Sequence, residues 1–234
     1  MKTIKVLNLY ACLGGNRYKW DEVAQEANVK MEVKAVEWDE ELARLYKERF
    51  PNDTVIVADA HQYLLDHYKE FDFIWSSPPC PSHSKIRHQK ACYFNNDVYP
   101  IIYPDMSLYQ EIILLSKYFK GGYLVENVSP YYTPLIEAKR RGRHLYWCNF
   151  NLPNILSKRE QAKITSGGNE VKNLSKFHEY DFTKYKGTQR TDKIARNLVD
   201  YEAGRTIFET YLGIERKQDI NQTTIFDYEN NTRI

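Results

Sequence analysis

Apolar positions in the first 150 residues come in short runs separated by stretches of helical spacing. Runs at 4–10, 32–37, 55–57, 71–75, 123–125 and 145–150 predict six strands. Between them, Leu42, Leu45, Tyr46 and Phe50 recur at helical spacing behind Asp39, a capping residue type, and Pro51-Asn52 stops the pattern. A short helix is predicted through Tyr63, Leu64 and His67. A longer one is predicted over 106–119, with Leu108, Ile112, Leu115 and Phe119 on one face. Strands alternating with helices predict an α/β fold with a mostly parallel sheet and helices on both faces. In such sheets ligands bind beyond the carboxyl ends of the strands.

The alternation fades after residue 150. Residues 151–190 are polar, contain Ser166-Gly167-Gly168-Asn169 and show little periodicity, so they are expected to form an excursion or a very small second lobe. Helical spacing returns over 200–212, with Ala203, Ile207, Tyr211 and Leu212 as the buried stripe. Residues 81–104 are expected to form a mobile loop, and the polar stretch 215–234 a flexible tail.

Composition adds little to this picture. The 19 tyrosines suit cores, wet interfaces and contacts with nucleic-acid bases alike, and a net charge of +2 does not by itself mark a nucleic-acid binder. Charge distribution says more: segment 138–160 holds Lys139, Arg140, Arg141, Arg143, Lys158 and Arg159 against one nearby acid, Glu160. Such a stretch can track phosphates or simply be a solvated surface. The four cysteines, Cys12, Cys80, Cys92 and Cys148, show no zinc-type spacing and no disulfide framework, so no metal is expected. The first residues, MKTIKVLNLY, do not read as a signal peptide, and no run is long enough for a membrane span. The expectation is a soluble, reduced, cytoplasmic protein.

Candidate chemistry sits just after the strands. The first ends in Asn8-Leu9-Tyr10-Ala11-Cys12-Leu13-Gly14-Gly15, a small-residue turn that lets backbone approach a ligand, or simply a tight turn. The second ends in Glu37-Trp38-Asp39: a carboxylate for ribose hydroxyls and an indole face for an adenine. The third ends in Ala58-Asp59-Ala60, where Asp59 can accept from an amino group. The fourth carries Ser77-Pro78-Pro79-Cys80-Pro81-Ser82-His83-Ser84. Prolines flanking Cys80 stiffen the backbone, which a nucleophile needs and a filler cysteine does not. The fifth ends in Glu126-Asn127-Val128, where desolvation should keep a proton on Glu126. Arg141-Gly142-Arg143, entering the sixth, can hold a base carbonyl or a phosphate.

In this order the segments resemble the cytosine-5 DNA methyltransferase family. Its D-L-F-A-G-x-G-G motif is similar to Asn8 through Gly15, its P-C-Q-x-x-S motif to Pro79-Cys80-Pro81-Ser82-His83-Ser84, and its R-x-R motif to Arg141-Gly142-Arg143. Its E-N-V motif is intact at Glu126-Asn127-Val128, and its late G-N-S motif resembles Arg196-Asn197-Leu198. The resemblance implies a Rossmann-like fold that uses S-adenosylmethionine. It implies that Cys80 adds to carbon 6 of a flipped-out cytosine, that Glu126 protonates ring nitrogen 3, and that Arg143 with Arg141 holds the base. Nearby positive charge should lower the Cys80 pKa. Tyr10, Ala11, Leu13, Gly14, Gly15, Glu37, Trp38, Asp59, Ala60, Pro79, Asn197 and Leu198 are the implied cofactor contacts.

The departures are Asn8 for Asp, Cys12 for Gly and Pro81 for Gln, and a recognition region cut to 151–190 between a core of 1–150 and its return over 191–214. Reading a target in double-stranded DNA then requires a short relaxed contact, a partner or a dimer. A restriction–modification, phage or orphan role fits equally. A transfer-RNA methyltransferase and a catalytically degenerate DNA-binding subunit are the alternatives. Gln222-Thr223-Thr224-Ile225-Phe226 resembles the pentapeptide that docks on the replication sliding clamp.

Overall fold

The computed structural model describes residues 1–94, 100–160 and 169–214; the clamp-like pentapeptide at 222–226 lies outside them. The chain opens with β1 (Lys2–Leu9), buried from Val6 onward. A helix follows, α1 (Trp20–Glu26), with Trp20, Val23 and Ala24 buried at helical spacing. Next come β2 (Val29–Glu37), α2 (Glu40–Arg49), β3 (Thr54–Val57), α3 (Ala60–His67) and β4 (Phe73–Ser76). Asp39 caps α2 as expected, accepting from the amides of Glu41 and Leu42.

The second half differs more from expectation. Within 81–104, where the sequence predicts a mobile loop, the chain forms α4 (Lys85–Phe94); only Ala91 of it is buried, so the helix carries no apolar stripe for a sequence pattern to show. After α5 (Ser107–Tyr118), β5 (Gly122–Val128) runs three residues past its predicted end because β7 (His144–Cys148) pairs with it through Val128. The charged three-residue β6 (Lys139–Arg141) gave no apolar signal. Then come α6 (Glu170–His178), α7 (Thr191–Asn197) and α8 (Tyr201–Leu212).

The sheet order is β3-β2-β1-β4-β5-β7-β6, parallel except where β7 runs against β5 and β6. The order reverses between β1 and β4, so their carboxyl ends open a crevice at the switch point. One face buries Leu7, Leu9, Ile74, Val125 and Trp147 against α3 and α5. On the other face Trp20 stacks on Phe208 of α8 at 4.9 Å, and its indole N–H donates to the Gly204 carbonyl at 3.2 Å. Two buried groups, Arg17 and Asp53, pair at 2.9 Å, with the Tyr46 hydroxyl also donating to the carboxylate. Pairing offsets the cost of burying either charge.

The described part of 169–198 packs on α2. Leu174, Phe182, Tyr185, Ile194, Ala195 and Leu198 form one cluster with Leu13, Leu42 and Leu45. The Tyr185 hydroxyl and the Gln189 amide both donate to Asp39. This stretch therefore braces the turn after β1. Among the described residues no helix is long and apolar enough to cross a membrane.

Candidate active site

The turn after β1 has an unusual backbone. Tyr10 and Cys12 sit in the left-handed region, at φ +54° and +47°, and Gly14 at +66°. Glycine is the residue that takes such values without strain, so Cys12 departs from the small-residue pattern at a conformational cost. Gly14 and Gly15 also leave no room: a Cβ would lie 2.4 Å from Phe50 Cε2 and 2.3 Å from the Val199 carbonyl oxygen, respectively. Leu198 and Val199 thus press directly against Gly15, joining the late segment to the first turn. Ala11 and Leu13 are buried beneath it, and Asn197, at the end of α7, is exposed.

Glu37 is buried at the end of β2. It accepts from the amide of Cys12 at 2.8 Å and from that of Asp39 at 3.0 Å, so its carboxylate ties β2 to the turn. Burial raises its pKa, opposed by those amides. Beside it the Trp38 ring is 64% exposed, a flat apolar face in water without a partner layer. Asp59 caps α3 by accepting from Gln62, and Ala60 is buried as the first residue of that helix.

The Cys80 loop is stitched on both sides. The Asn127 side-chain amide, buried in β5, donates to the Pro78 carbonyl at 3.0 Å. The Cys80 carbonyl accepts from the amides of His83 and Ser84, each at 3.0 Å, which turns the chain into α4. The His83 carbonyl accepts from the Tyr131 amide, and the His83 ring is hydrogen-bonded to the Tyr132 hydroxyl. Pro79 is exposed and Cys80 half-buried.

Glu126 and Arg143 act on this thiol. Burial lifts the Glu126 carboxyl to about 7, with the Arg143 cation opposing the rise. The direction is the one expected for a carboxyl desolvated at a strand end. The expected low pKa at Cys80 is not found: burial and the Glu126 charge push it up, and the Arg143 cation only partly opposes them. Desolvation of a thiolate in a half-closed crevice outweighs one exposed guanidinium.

The two arginines of Arg141-Gly142-Arg143 part company. Gly142, at φ +57°, sits first in a two-residue hairpin between β6 and β7, a position that demands that conformation. Arg143 follows at the hairpin tip, its carbonyl accepting from the Ser129 amide after β5. The Arg141 guanidinium instead donates to the carbonyls of Arg140, Leu152 and Pro153. Its donors serve the sheet edge, so the structure does not bring it to Cys80.

A family model for C-5 cytosine-specific DNA methylases matches residues 4–129, more than half of the 234-residue chain. The chain belongs to this family. The match covers the first turn, the Cys80 loop and Glu126, and ends before Arg143 and Asn197. The methylase fold is Rossmann-like, with its sheet order and crevice as described. No curated protein matches this chain. Among solved structures, a hypothetical protein of Thermus thermophilus is 20% identical with a TM-score of 0.38, covering 62% of this chain and 73% of that one. A mutant of Spodoptera frugiperda DNMT2 is 23% identical with a TM-score of 0.35, covering 53% of this chain and 35% of that one. A TehB-like SAM-dependent methyltransferase of Corynebacterium glutamicum is 14% identical with a TM-score of 0.33, covering 55% of this chain and 56% of that one.

The sequence singles out Cys80 but not the bonds that hold its loop. Asn127 was legible within the Glu-Asn-Val run, yet nothing in sequence assigns its amide to Pro78. His144 was missed altogether: it pairs with Val128 at the edge of the site, and burial with the Arg143 charge drives its pKa down to about 4. Its ring is therefore neutral near pH 7.

Proposed function

We propose that the protein transfers a methyl group from S-adenosylmethionine to carbon 5 of a cytosine in double-stranded DNA, with Cys80 as the nucleophile. The observation that carries this reading is the meeting of three groups from three elements. The Cys80 thiol feels both the carboxyl of Glu126 in β5 and the cation of Arg143 on the β6–β7 hairpin.

The exposed Trp38 face beside the buried Glu37 carboxylate supports a cofactor site beyond the end of β2. Tyr10, Ala11, Leu13, Gly14, Gly15, Glu37, Trp38, Asp59, Ala60, Pro79, Asn197 and Leu198 would hold it. S-adenosylmethionine supplies the methyl group.

The protein's own part is proton and geometry control. The Cys80 thiol loses its proton and its sulfur bonds to carbon 6 of the ring. Glu126, its pKa raised by burial to about 7, gives its proton to ring nitrogen 3 as that bond forms. Carbon 5 gains the electron pair it needs to take the methyl group. Loss of the carbon 5 proton to water, with ring nitrogen 3 returning its proton to Glu126, then expels the Cys80 sulfur as a thiolate and restores the ring. Arg143 stabilises negative charge on the thiolate and on the base carbonyl. The target must leave the base stack to reach Cys80.

The test is transfer of labelled methyl from S-adenosylmethionine to unmethylated DNA of mixed sequence, with Cys80→Ser alongside. Label recovered as 5-methylcytosine and lost in the variant is the expected result. Label on transfer RNA alone would replace the DNA reading, and near-normal methylation by Cys80→Ser would remove the assigned nucleophile.

A further inference from the structure

One fully buried carboxylate touches both halves of the site. Glu111, on α5, is 0% exposed. One of its oxygens accepts from the Tyr10 hydroxyl at 2.6 Å and lies 3.0 Å from His61 Nδ1. The other accepts from the Ser76 hydroxyl. These donors come from places that matter. Tyr10 opens the glycine turn after β1 in its left-handed conformation. Ser76 is the last residue of β4, four positions before Cys80. His61 lies in the first turn of α3, two positions after Asp59.

A carboxylate in an apolar layer is tolerated only when its lone pairs are met by donors. Glu111 is surrounded by Leu108, Ile112 and Leu115 of its own helix, all buried, so the three donors are its solvation. The dependence runs both ways. Tyr10 is a non-glycine residue at positive φ, a conformation that persists only where neighbours fix it. Its hydroxyl bond to the Glu111 carboxyl group is such a constraint. Ser76 fixes the exit of β4 in the same manner.

We propose that Glu111 is a positioning residue that sets the cofactor turn against the nucleophile loop, so that a disturbance in either is felt in the other. The proposal rests on the methyltransferase reading above. Glu111 touches neither reacting atom. It acts through Tyr10 and Ser76, and its consequence is coupling between two loops whose hydroxyls share one carboxylate.

Cross-effects test it. S-adenosylhomocysteine affinity is measured by calorimetry. Cys80 alkylation by iodoacetamide is followed by peptide mass, which separates it from the other three of four cysteines. Tyr10→Phe, in the cofactor turn, is expected to change the Cys80 alkylation rate in the absence of cofactor by about threefold or more. Ser76→Ala, at the end of β4 where the chain leaves for the nucleophile loop, is expected to weaken S-adenosylhomocysteine by about threefold or more. Glu111→Gln should do both; if it fails to fold, the two single hydroxyl deletions carry the test, with thermal melts confirming that they fold. Effects confined to the loop that was changed, or absent from both, overturn the proposal while leaving the methyltransferase reading intact. A wild-type protein that binds no S-adenosylhomocysteine removes that reading, and the proposal with it.

Discussion

Replacing Glu126 with glutamine separates the proton from the shape of the side chain. In the folded protein burial holds the carboxyl at about 7, against 4.5 as its ordinary value. Between those values the folded chain keeps a proton that the unfolded chain has shed. Folding therefore loses stability as pH rises through that window, the contribution being whole below the lower value and gone above the upper one. A shift of this size corresponds to at most about 3 kcal/mol. The side chain is only half-buried, and screening by water reduces the effect to roughly 1–3 kcal/mol. Glutamine has no proton to lose. Glu126→Gln should therefore match the wild type near about pH 5 and melt higher near about pH 8, by roughly 2–10 °C for a chain of this length. The same change removes the proton donor for ring nitrogen 3, so turnover should fall by roughly 100-fold or more. Paired thermal melts at the two pH values, with labelled methyl transfer on the same preparations, read both effects. A melting difference that does not grow with pH would refute the desolvated-carboxyl account, and near-normal methylation would refute the proton donor.

Two further expectations concern neighbours of the site. Asn127→Ala leaves the Pro78 carbonyl without its donor, which should cost about 1–3 kcal/mol and slow methyl transfer far more than it weakens S-adenosylhomocysteine; equal losses in calorimetry and turnover would count against a positioning role. Arg141→Met removes donors to three carbonyls and should lower stability by about 1–3 kcal/mol while turnover per folded molecule stays within about twofold. A loss of roughly 100-fold there would return Arg141 to the base pocket.

Periodicity revealed the alternating strands and helices, because buried parallel strands and one-sided helices leave strong patterns; Leu42, Leu45 and Tyr46 of α2 are one case. It failed where burial is one-sided or slight. Helix α4 buries a single alanine, and β6 is three charged residues held by pairing alone. The 151–190 stretch was hard for another reason: α6 buries Glu170 and His178 beside Leu174, so two of its three buried positions are polar and show no apolar stripe. At the site, the residues that meet Cys80 were legible because their motifs keep residue type and order. The supporting bonds were not. Glu111 looked like one polar position in a helical pattern, and only the fold brings Tyr10 and Ser76 to it across 101 and 35 positions of sequence. Arg141 and Arg143 look alike in sequence, and the hairpin at Gly142 decides which one faces the crevice.

The stack of Trp20 on Phe208 has a consequence for how the molecule comes into being. Trp20 follows the glycine turn closely, yet its indole partner, Gly204, lies 184 positions further along the chain. During synthesis the first sheet strands emerge long before the element that covers them. Until α8 docks, Trp20, Phe73 and Trp75 form an uncovered aromatic surface beneath the crevice. Contacts of such long range are slow to form, and the interval before they form is when aggregation competes. The cover of this aromatic layer thus comes from α8 (Tyr201–Leu212), the last helix of the described residues.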